Sequence, residues 1–351
     1  MRALTYAAFG GPLTVVDLPE PTAPPGGAVV RVEATGLCRS DWHGWLGHDT
    51  DIARFPHVPG HEFAGTVSAV GDGVDRAWLG RRVTAPFVFA CGDCPVCRAG
   101  AGQVCPRQRQ PGFTDPGSFA EFVVVQAAAT NLVALPDDLT TAQAAGLGCR
   151  VATAYRAVTA RANVREGERV VVLGCGGVGL SAVAAAVSRG AEVIAVDLSA
   201  ASLEAAKALG ATHGLLQGDD LPQRVHELTG GGAEVSIEAL GSPATARDGI
   251  LCLARRGRHV QVGLLPPAAG AAPIPMERVI AWELDVLGSH GMDARDYPAL
   301  LEDVRTGRIP LASMLDERDP LTLEEAATAL PSIGSAYSRG IVLIDPAANP
   351  G

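Results

Sequence analysis

Eight cysteines stand in a chain of 351 residues, and four of them crowd into one segment, Cys91-x2-Cys94-x2-Cys97-x7-Cys105. Gly92, Asp93, Pro95, Gly100 and Gly102 lie between them, residue types that let a short loop fold back on itself. Four thiolates within 15 residues can enclose one tetrahedral zinc with no position left open, the ligand set of a structural site. An iron–sulfur cluster also takes four cysteines, but this spacing matches no ferredoxin run, and chance clustering is the remaining explanation. Three more residues have ligand chemistry: Cys38 in Gly36-Leu37-Cys38-Arg39-Ser40-Asp41-Trp42-His43, His61 in Pro59-Gly60-His61-Glu62, and Cys149 in Gly148-Cys149-Arg150. Two thiolates and an imidazole would leave a fourth position on zinc for water or substrate, which is the ligand count of a catalytic metal. Taken singly, each has a plainer explanation, because an isolated cysteine is as a rule a small core residue and a lone histidine is usually a satisfied core histidine. On the residues alone both explanations stand. Cys175 and Cys252 lie in apolar surroundings and read as packing residues.

A second chemistry begins at Gly174-Cys175-Gly176-Gly177-Val178-Gly179, which fits G-x-G-x-x-G. Gly174 is suited to a tight turn, Gly176 lets backbone approach a pyrophosphate, and Gly179 lets helix and strand pack closely. The helix that follows would turn free N–H groups and its positive dipole end toward the phosphates. Asp197 comes 18 residues after Gly179. A carboxylate there accepts hydrogen bonds from the ribose hydroxyls and repels a 2′-phosphate, so NAD is expected rather than NADP.

The elements that must position these groups differ between the two parts of the chain. Arg169-Val170-Val171-Val172-Leu173 reads as a buried parallel strand, followed by a helix over Leu180–Arg189 and a strand over Glu192–Asp197. Further helices over Ala201–Leu209 and near Ala244–Leu253, with strands at Glu234–Glu238 and His259–Gly263, continue the alternation of a doubly wound Rossmann sheet. Before residue 150 the pattern is of short alternating strands such as Val29–Glu33 and Phe63–Val67 between Gly and Pro, an all-β, barrel-like portion. Pro266–Pro275 reads as a loop. Val170–Val187 runs 18 residues without a charge, the shortest length for a membrane span, but its glycines favour strand, turn and buried helix.

The composition, 47% hydrophobic and 19% charged, excludes a disordered or fibrous chain. A net charge of −10 with no Lys/Arg run leads us to expect neither nucleic acid nor an anionic membrane as partner. Lys207 is the only lysine among 28 basic residues, which reads as a genomic bias. The first residues lack the apolar core of a signal peptide, so a cytoplasmic protein is expected.

Taken together, Gly36-Leu37-Cys38-Arg39-Ser40-Asp41, Gly60-His61-Glu62, the four-cysteine lobe, Gly148-Cys149, the glycine loop and Asp197 resemble the medium-chain, zinc-dependent alcohol dehydrogenases over essentially the whole chain. The resemblance implies an α/β protein with a GroES-like catalytic domain over 1–149, including the structural zinc lobe at 91–105. A Rossmann domain would follow over 150–288, and a segment returning to the catalytic domain over 289–351. It implies NAD and two zinc ions per subunit, one held by Cys38, His61 and Cys149 and one by Cys91, Cys94, Cys97 and Cys105. Zinc would lower the pKa of an alcohol whose hydride goes to the nicotinamide. In similar enzymes the position of Glu62 is a carboxylate able to approach the metal, and that of Asp41 orients the histidine ligand by accepting its free N–H. Ser40 would take the alcohol proton and pass it through the cofactor ribose to His43, whose near-neutral pKa suits release to solvent. His48 and His57 read as loop residues. The resemblance sets Arg39 and Arg339 on the pyrophosphate, Thr153 and Val178 against the nicotinamide, and Gly177 and Val262 among the cofactor contacts.

Polyol dehydrogenases of similar build use a glutamate as third ligand in a different sequence, which turns the expectation away from sugar alcohols. The connection from Cys105 to Phe119 is short, as in similar microbial tetramers, so a homotetramer is expected, with a dimer as the alternative. Trp42, Trp45, Phe87 and Phe113 fall where the family lines its substrate pocket, which suggests a hydrophobic or aromatic alcohol; ordinary core packing explains them equally well. The competing readings are a polyol or amino-alcohol dehydrogenase, such as a threonine dehydrogenase, and a zinc-poor quinone-reductase-like or dinucleotide-sensing protein.

Overall fold

Two folding logics meet in this chain, whose computed structural model describes residues 1–265, 274–316, 318–333 and 340–349. Met1–Ala152, Gly291–Arg305 and Leu311–Gly351 form one compact unit, and Thr153–His290 with Thr306–Pro310 form another.

The first unit is built on antiparallel pairing. β1 (Arg2–Thr5) pairs with β2 (Thr14–Asp17). A larger sheet centres on β3 (Ala28–Leu37), a ten-residue strand whose apolar residues Val30 and Val32 alternate with Arg31 and Glu33. β4 (Phe63–Val70) lies along β3, followed outward by β5 (Arg82–Thr84) and β7 (Val133–Ala134). On its other edge β3 meets β6 (Phe122–Val125) near its start and β14 (Val342–Ile344) at its end. Register shifts in β3 against β4 bend the pair, as bulges do. Val30, Val32, Phe63, Val83 and Phe89 fill the core between these strands. Leu4, Leu37 and Phe119 pack with Leu323, Leu330 and Ile344 from the end of the chain. The sheet has a direct consequence for chemistry, because Cys38 follows the last residue of β3 and His61-Glu62 precede the first residue of β4.

The second unit is a six-stranded parallel sheet in the order β10-β9-β8-β11-β12-β13. Its strands are β8 (Arg169–Leu173), β9 (Glu192–Asp197), β10 (His213–Leu216), β11 (Ala233–Glu238), β12 (Leu253–Gln261) and β13 (Asp285–Gly288). β8 is buried from Val170 to Leu173 and therefore apolar without alternation. The strand order reverses at β8, flanked by β9 and β11, which creates a crevice at the carboxyl ends of the strands where such sheets bind ligands.

The stretch from Val170 to Val187 resolves into β8, the glycine loop and the helix Gly177–Ser188; no helix among the described residues is long and apolar enough to cross a membrane. That helix starts three residues earlier than the apolar pattern suggested, because Gly176 serves as its N-cap. β10 and β13 were not foreseen: both are short, and β13 is mostly exposed, so neither carries the apolar run of a central strand. β12 begins at Leu253, well before the expected His259, through an Arg-Arg-Gly-Arg stretch with no strand signature. Most of the expected Pro266–Pro275 loop lies outside the described residues.

Candidate active site

In the first unit the ligand-bearing atoms of Cys38, His61 and Cys149 all lie within 4.8 Å of one another. Cys38 is the N-cap of the helix Arg39–Trp45, and Cys149 sits in a π-helical turn over Leu147–Val151, a widened turn common at functional sites. Asp41 ties the first two ligands together. Its Oδ2 accepts the Cys38 N–H at 3.0 Å, and its Oδ1 accepts the Gly60 N–H at 3.1 Å and pairs with His61 Nδ1 at 2.8 Å. His61 is 1% exposed, yet its Nε2 has no hydrogen-bond partner. An orphaned imidazole nitrogen facing two thiols is the donor set zinc requires, so these residues fit the metal. Burial alone would lower the His61 pKa, but the Asp41 carboxylate and Cys38 push it well up. The neighbouring Cys149 thiol and the Arg150 charge hold Cys38 well below the ordinary thiol range, while Cys38 and burial drive Cys149 up.

Glu62 is fully buried and does not stand free. Its Oε1 accepts the Arg150 backbone N–H at 2.7 Å, and its Oε2 takes Arg150 Nε at 2.9 Å and Nη2 at 2.5 Å. Arg150 is the functional neighbour that the sequence reading passed over. Burial raises the Glu62 pKa against the pull of Arg150.

Ser40 is half-buried and Arg39 exposed, both on the first turn of the helix Arg39–Trp45. The expectation of a near-neutral His43 is corrected: burial, then Arg39 and His48, push it down to about 4. Its Nδ1 lies 2.9 Å from Nδ1 of His48, a pairing that the loop reading of His48 did not include. His57 is buried, with Nε2 2.8 Å from the Gly112 carbonyl. The aromatic set divides. Phe87 and Phe113 are buried with ring centres 6.1 and 5.3 Å from the His61 ring. Trp42 and Trp45 pack against the core of Leu4, Leu37 and Phe119, and Trp45 Nε1 donates to the Gly11 carbonyl.

The Sγ atoms of Cys91, Cys94, Cys97 and Cys105 all lie within 4.8 Å of one another, with the pairs Cys91–Cys97, Cys94–Cys97, Cys94–Cys105 and Cys91–Cys105 at 3.4 to 3.9 Å. Four sulfurs about 2.3 Å from one zinc stand ~3.8 Å apart in a tetrahedron, so this lobe also fits the metal. Asp293 and Arg295 seat it: Asp293 Oδ2 accepts the Gly102 N–H and Arg295 donates to the Cys97 carbonyl.

In the second unit Gly174 has φ +88°, a conformation that favours glycine, and a Cβ on Gly179 would collide with the Gly174 carbonyl. A Cβ on Gly176 would meet nothing within 4 Å. That open space lies over a helix whose N-cap makes no side-chain hydrogen bond, so its first N–H groups are available to phosphate. Gly177 and Val178 form the first helical turn. Asp197 ends β9, its Oδ2 accepting the Cys175 N–H at 2.7 Å and its Oδ1 the Ser199 N–H at 2.8 Å. Val262 follows β12 and donates to the Glu238 carbonyl. Thr153 is buried with no partner for its Oγ1. Arg339 lies outside the described residues.

Residues 24–137 match the alcohol dehydrogenase GroES-like domain, and residues 177–306 the zinc-binding dehydrogenase family. An alcohol dehydrogenase of Geobacillus stearothermophilus is 33% identical over 88% of this chain and 90% of its own length. A sorbitol dehydrogenase of Halalkalibacterium halodurans is 35% identical over 86% of this chain and 87% of its own. Among solved structures, an NAD-dependent alcohol dehydrogenase superposes with a TM-score of 0.88 at 32% identity, covering 98% of this chain and 99% of that one. The chain belongs to the medium-chain, zinc-dependent alcohol dehydrogenase family. It is an oxidoreductase of alcohols, and its cofactors are NAD and zinc.

Proposed function

We propose that this enzyme oxidises a hydrophobic or aromatic alcohol to the aldehyde or ketone, with catalytic zinc on Cys38, His61 and Cys149 and structural zinc on the four-cysteine lobe. The observation that carries the reading is the buried, unpartnered His61 Nε2, set among two thiols and flanked by Phe87 and Phe113. Zinc supplies Lewis acidity toward the alcohol oxygen, and NAD accepts the hydride. The chain does the rest. Asp41 keeps the His61 proton on Nδ1, which leaves Nε2 free to ligate. Ser40 accepts the alcohol proton, and neutral His43 with its partner His48 carries it outward. Phe87 and Phe113 exclude water around the reacting carbon. Gly174, Gly176, Gly177 and Gly179 cradle the pyrophosphate. Asp197 has lone pairs left for the ribose hydroxyls. Thr153, Val178 and Val262 serve the nicotinamide.

A polyol substrate is the second reading, favoured by the sorbitol dehydrogenase relative. Assembly into a homotetramer, with a dimer as the alternative, is supported by β13. It stands at the edge of its sheet, and Met276 and Ile280 on the nearby helix Met276–Trp282 are half or more exposed. Eight free cysteines suit a reducing, cytoplasmic setting.

One preparation tests these readings: zinc content per chain, mass by light scattering, and NAD reduction with benzyl alcohol, ethanol and sorbitol. Two zincs and fastest turnover of benzyl alcohol are expected. Fastest turnover of sorbitol would replace the substrate reading, and a monomer would remove the assembly.

A further inference from the structure

Two neighbouring pairs of residues in the first unit share one design. His61 is followed at once by Glu62, and Cys149 by Arg150, so each expected zinc ligand is chained to one half of a buried ion pair. Both halves are almost wholly withdrawn from water, with side-chain exposures of 8% for Arg150 and 0% for Glu62. Every bond that the carboxylate makes to Arg150 draws the two ligand segments together. Glu62 Oε1 accepts the Arg150 backbone N–H, which fixes the main chain immediately after Cys149, while Oε2 accepts from Nε and Nη2. On the other side the Glu62 carbonyl accepts from Gly36 N at 2.8 Å and from Thr35 Oγ1 at 2.7 Å, near the end of the strand that delivers Cys38.

We propose that the Glu62–Arg150 pair is a positioning clamp that sets the spacing of the three ligands and holds the Glu62 carboxylate off the metal. The proposal rests on reading Cys38, His61 and Cys149 as the catalytic zinc site. A carboxylate following a ligand histidine is itself a competent zinc ligand, and a fourth protein ligand would occupy the position that an alcohol needs. Two things prevent that. Glu62 would have to give up its bonds to a buried guanidinium, leaving the Arg150 charge uncompensated. The planar fork of Arg150 also holds the carboxylate in one orientation, which a lysine could not do.

Gly36 belongs to the same device. A Cβ there would stand 2.5 Å from Glu62 Oε2 and 2.8 Å from Arg150 Nη2, so only glycine admits the pair. This supplies a variant, Gly36→Ala, that keeps both charges and pushes them apart.

The test uses the zinc-loaded enzyme, a colorimetric chelator and cobalt substitution. In wild type two metals are expected to leave at separate rates, and the four-cysteine lobe serves as an internal control. Arg150→Gln should speed release of one metal about tenfold or more and leave the other unchanged. Its cobalt form should lose visible absorption as Glu62 adds to the coordination. Arg150→Lys should restore the charge but only part of the retention. Gly36→Ala should reproduce the faster release and carries the test if Arg150→Gln fails to fold. Wild-type release rates and an unchanged cobalt spectrum in these variants would overturn the clamp. A wild-type chain that holds one zinc would overturn the three-ligand reading itself, and the clamp with it.

Discussion

Asp41 and His43 stand two residues apart on one short helix and do different work. Asp41 is buried and engaged at both oxygens, which hold Cys38, Gly60 and His61 in place. His43 is pushed down to about 4, so the ring is neutral through the working range and can take a proton only in passing, as a relay that hands it on. An enzyme relying on His43 should therefore show no fall in rate through pH 6.5 from this group, the pH at which an unperturbed histidine would charge. His43→Gln should lower kcat at pH 7 about tenfold, with the deficit closing toward pH 10 as hydroxide takes over proton removal. A deficit of constant size across that range would remove His43 from the proton path. Of the residues gathered here, Cys38, His61, Cys149 and Asp41 were legible only through the set of motifs shared with the family, since singly each had a plainer explanation as a core or surface residue. Arg150 was not, since its partner Glu62 is 88 positions away and nothing local marks an arginine for burial.

At the scale of elements, the β8–loop–helix unit explains why Asp197 matters twice. It stands at the end of β9 where a ribose would lie, and it also accepts the Cys175 N–H inside the glycine loop. Asp197→Gly should thus lower the NAD-to-NADP preference at least about tenfold and raise the KM for NAD as the loop loosens, with kcat changed less. An unchanged cofactor ratio would contradict the assigned role. The central strands β8, β9 and β11 were readable because burial on both faces writes an uninterrupted apolar run. The edge strands β10 and β13 were not, because a partner on one side only leaves polar and small residues tolerable. The π-helical turn that carries Cys149 left no signal either, since the extra residue in a turn changes hydrogen bonding without changing composition.

For the whole molecule, one buried histidine, His259, makes stability sensitive to mild acid. His259 is 1% exposed, with Nδ1 2.8 Å from Ser236 Oγ and Nε2 3.3 Å from Gln261 Oε1, and burial pushes its pKa down to about 4. In the unfolded chain the same ring charges near 6.5. Between those two values the unfolded state binds the extra proton, so stability falls as pH drops from 6.5 toward 4, and this contribution is complete above 6.5. His43 acts in the same direction over the same window. The lowered carboxyls Asp316 and Glu234 act only further into acid, near and below their ordinary range. A shift of this size in a buried ring amounts to roughly 3 kcal/mol between pH 7 and pH 4. His259→Gln keeps a side chain able to hydrogen-bond while removing the titration, so its unfolding free energy should decline less steeply over that interval. Urea unfolding of wild type and variant at pH 7.5, 6 and 4.5 measures the difference, in which every other titrating group cancels. Parallel curves would mean that His259 is solvated or charged in the folded enzyme, and the buried network with Ser236 and Gln261 would have to be open to water.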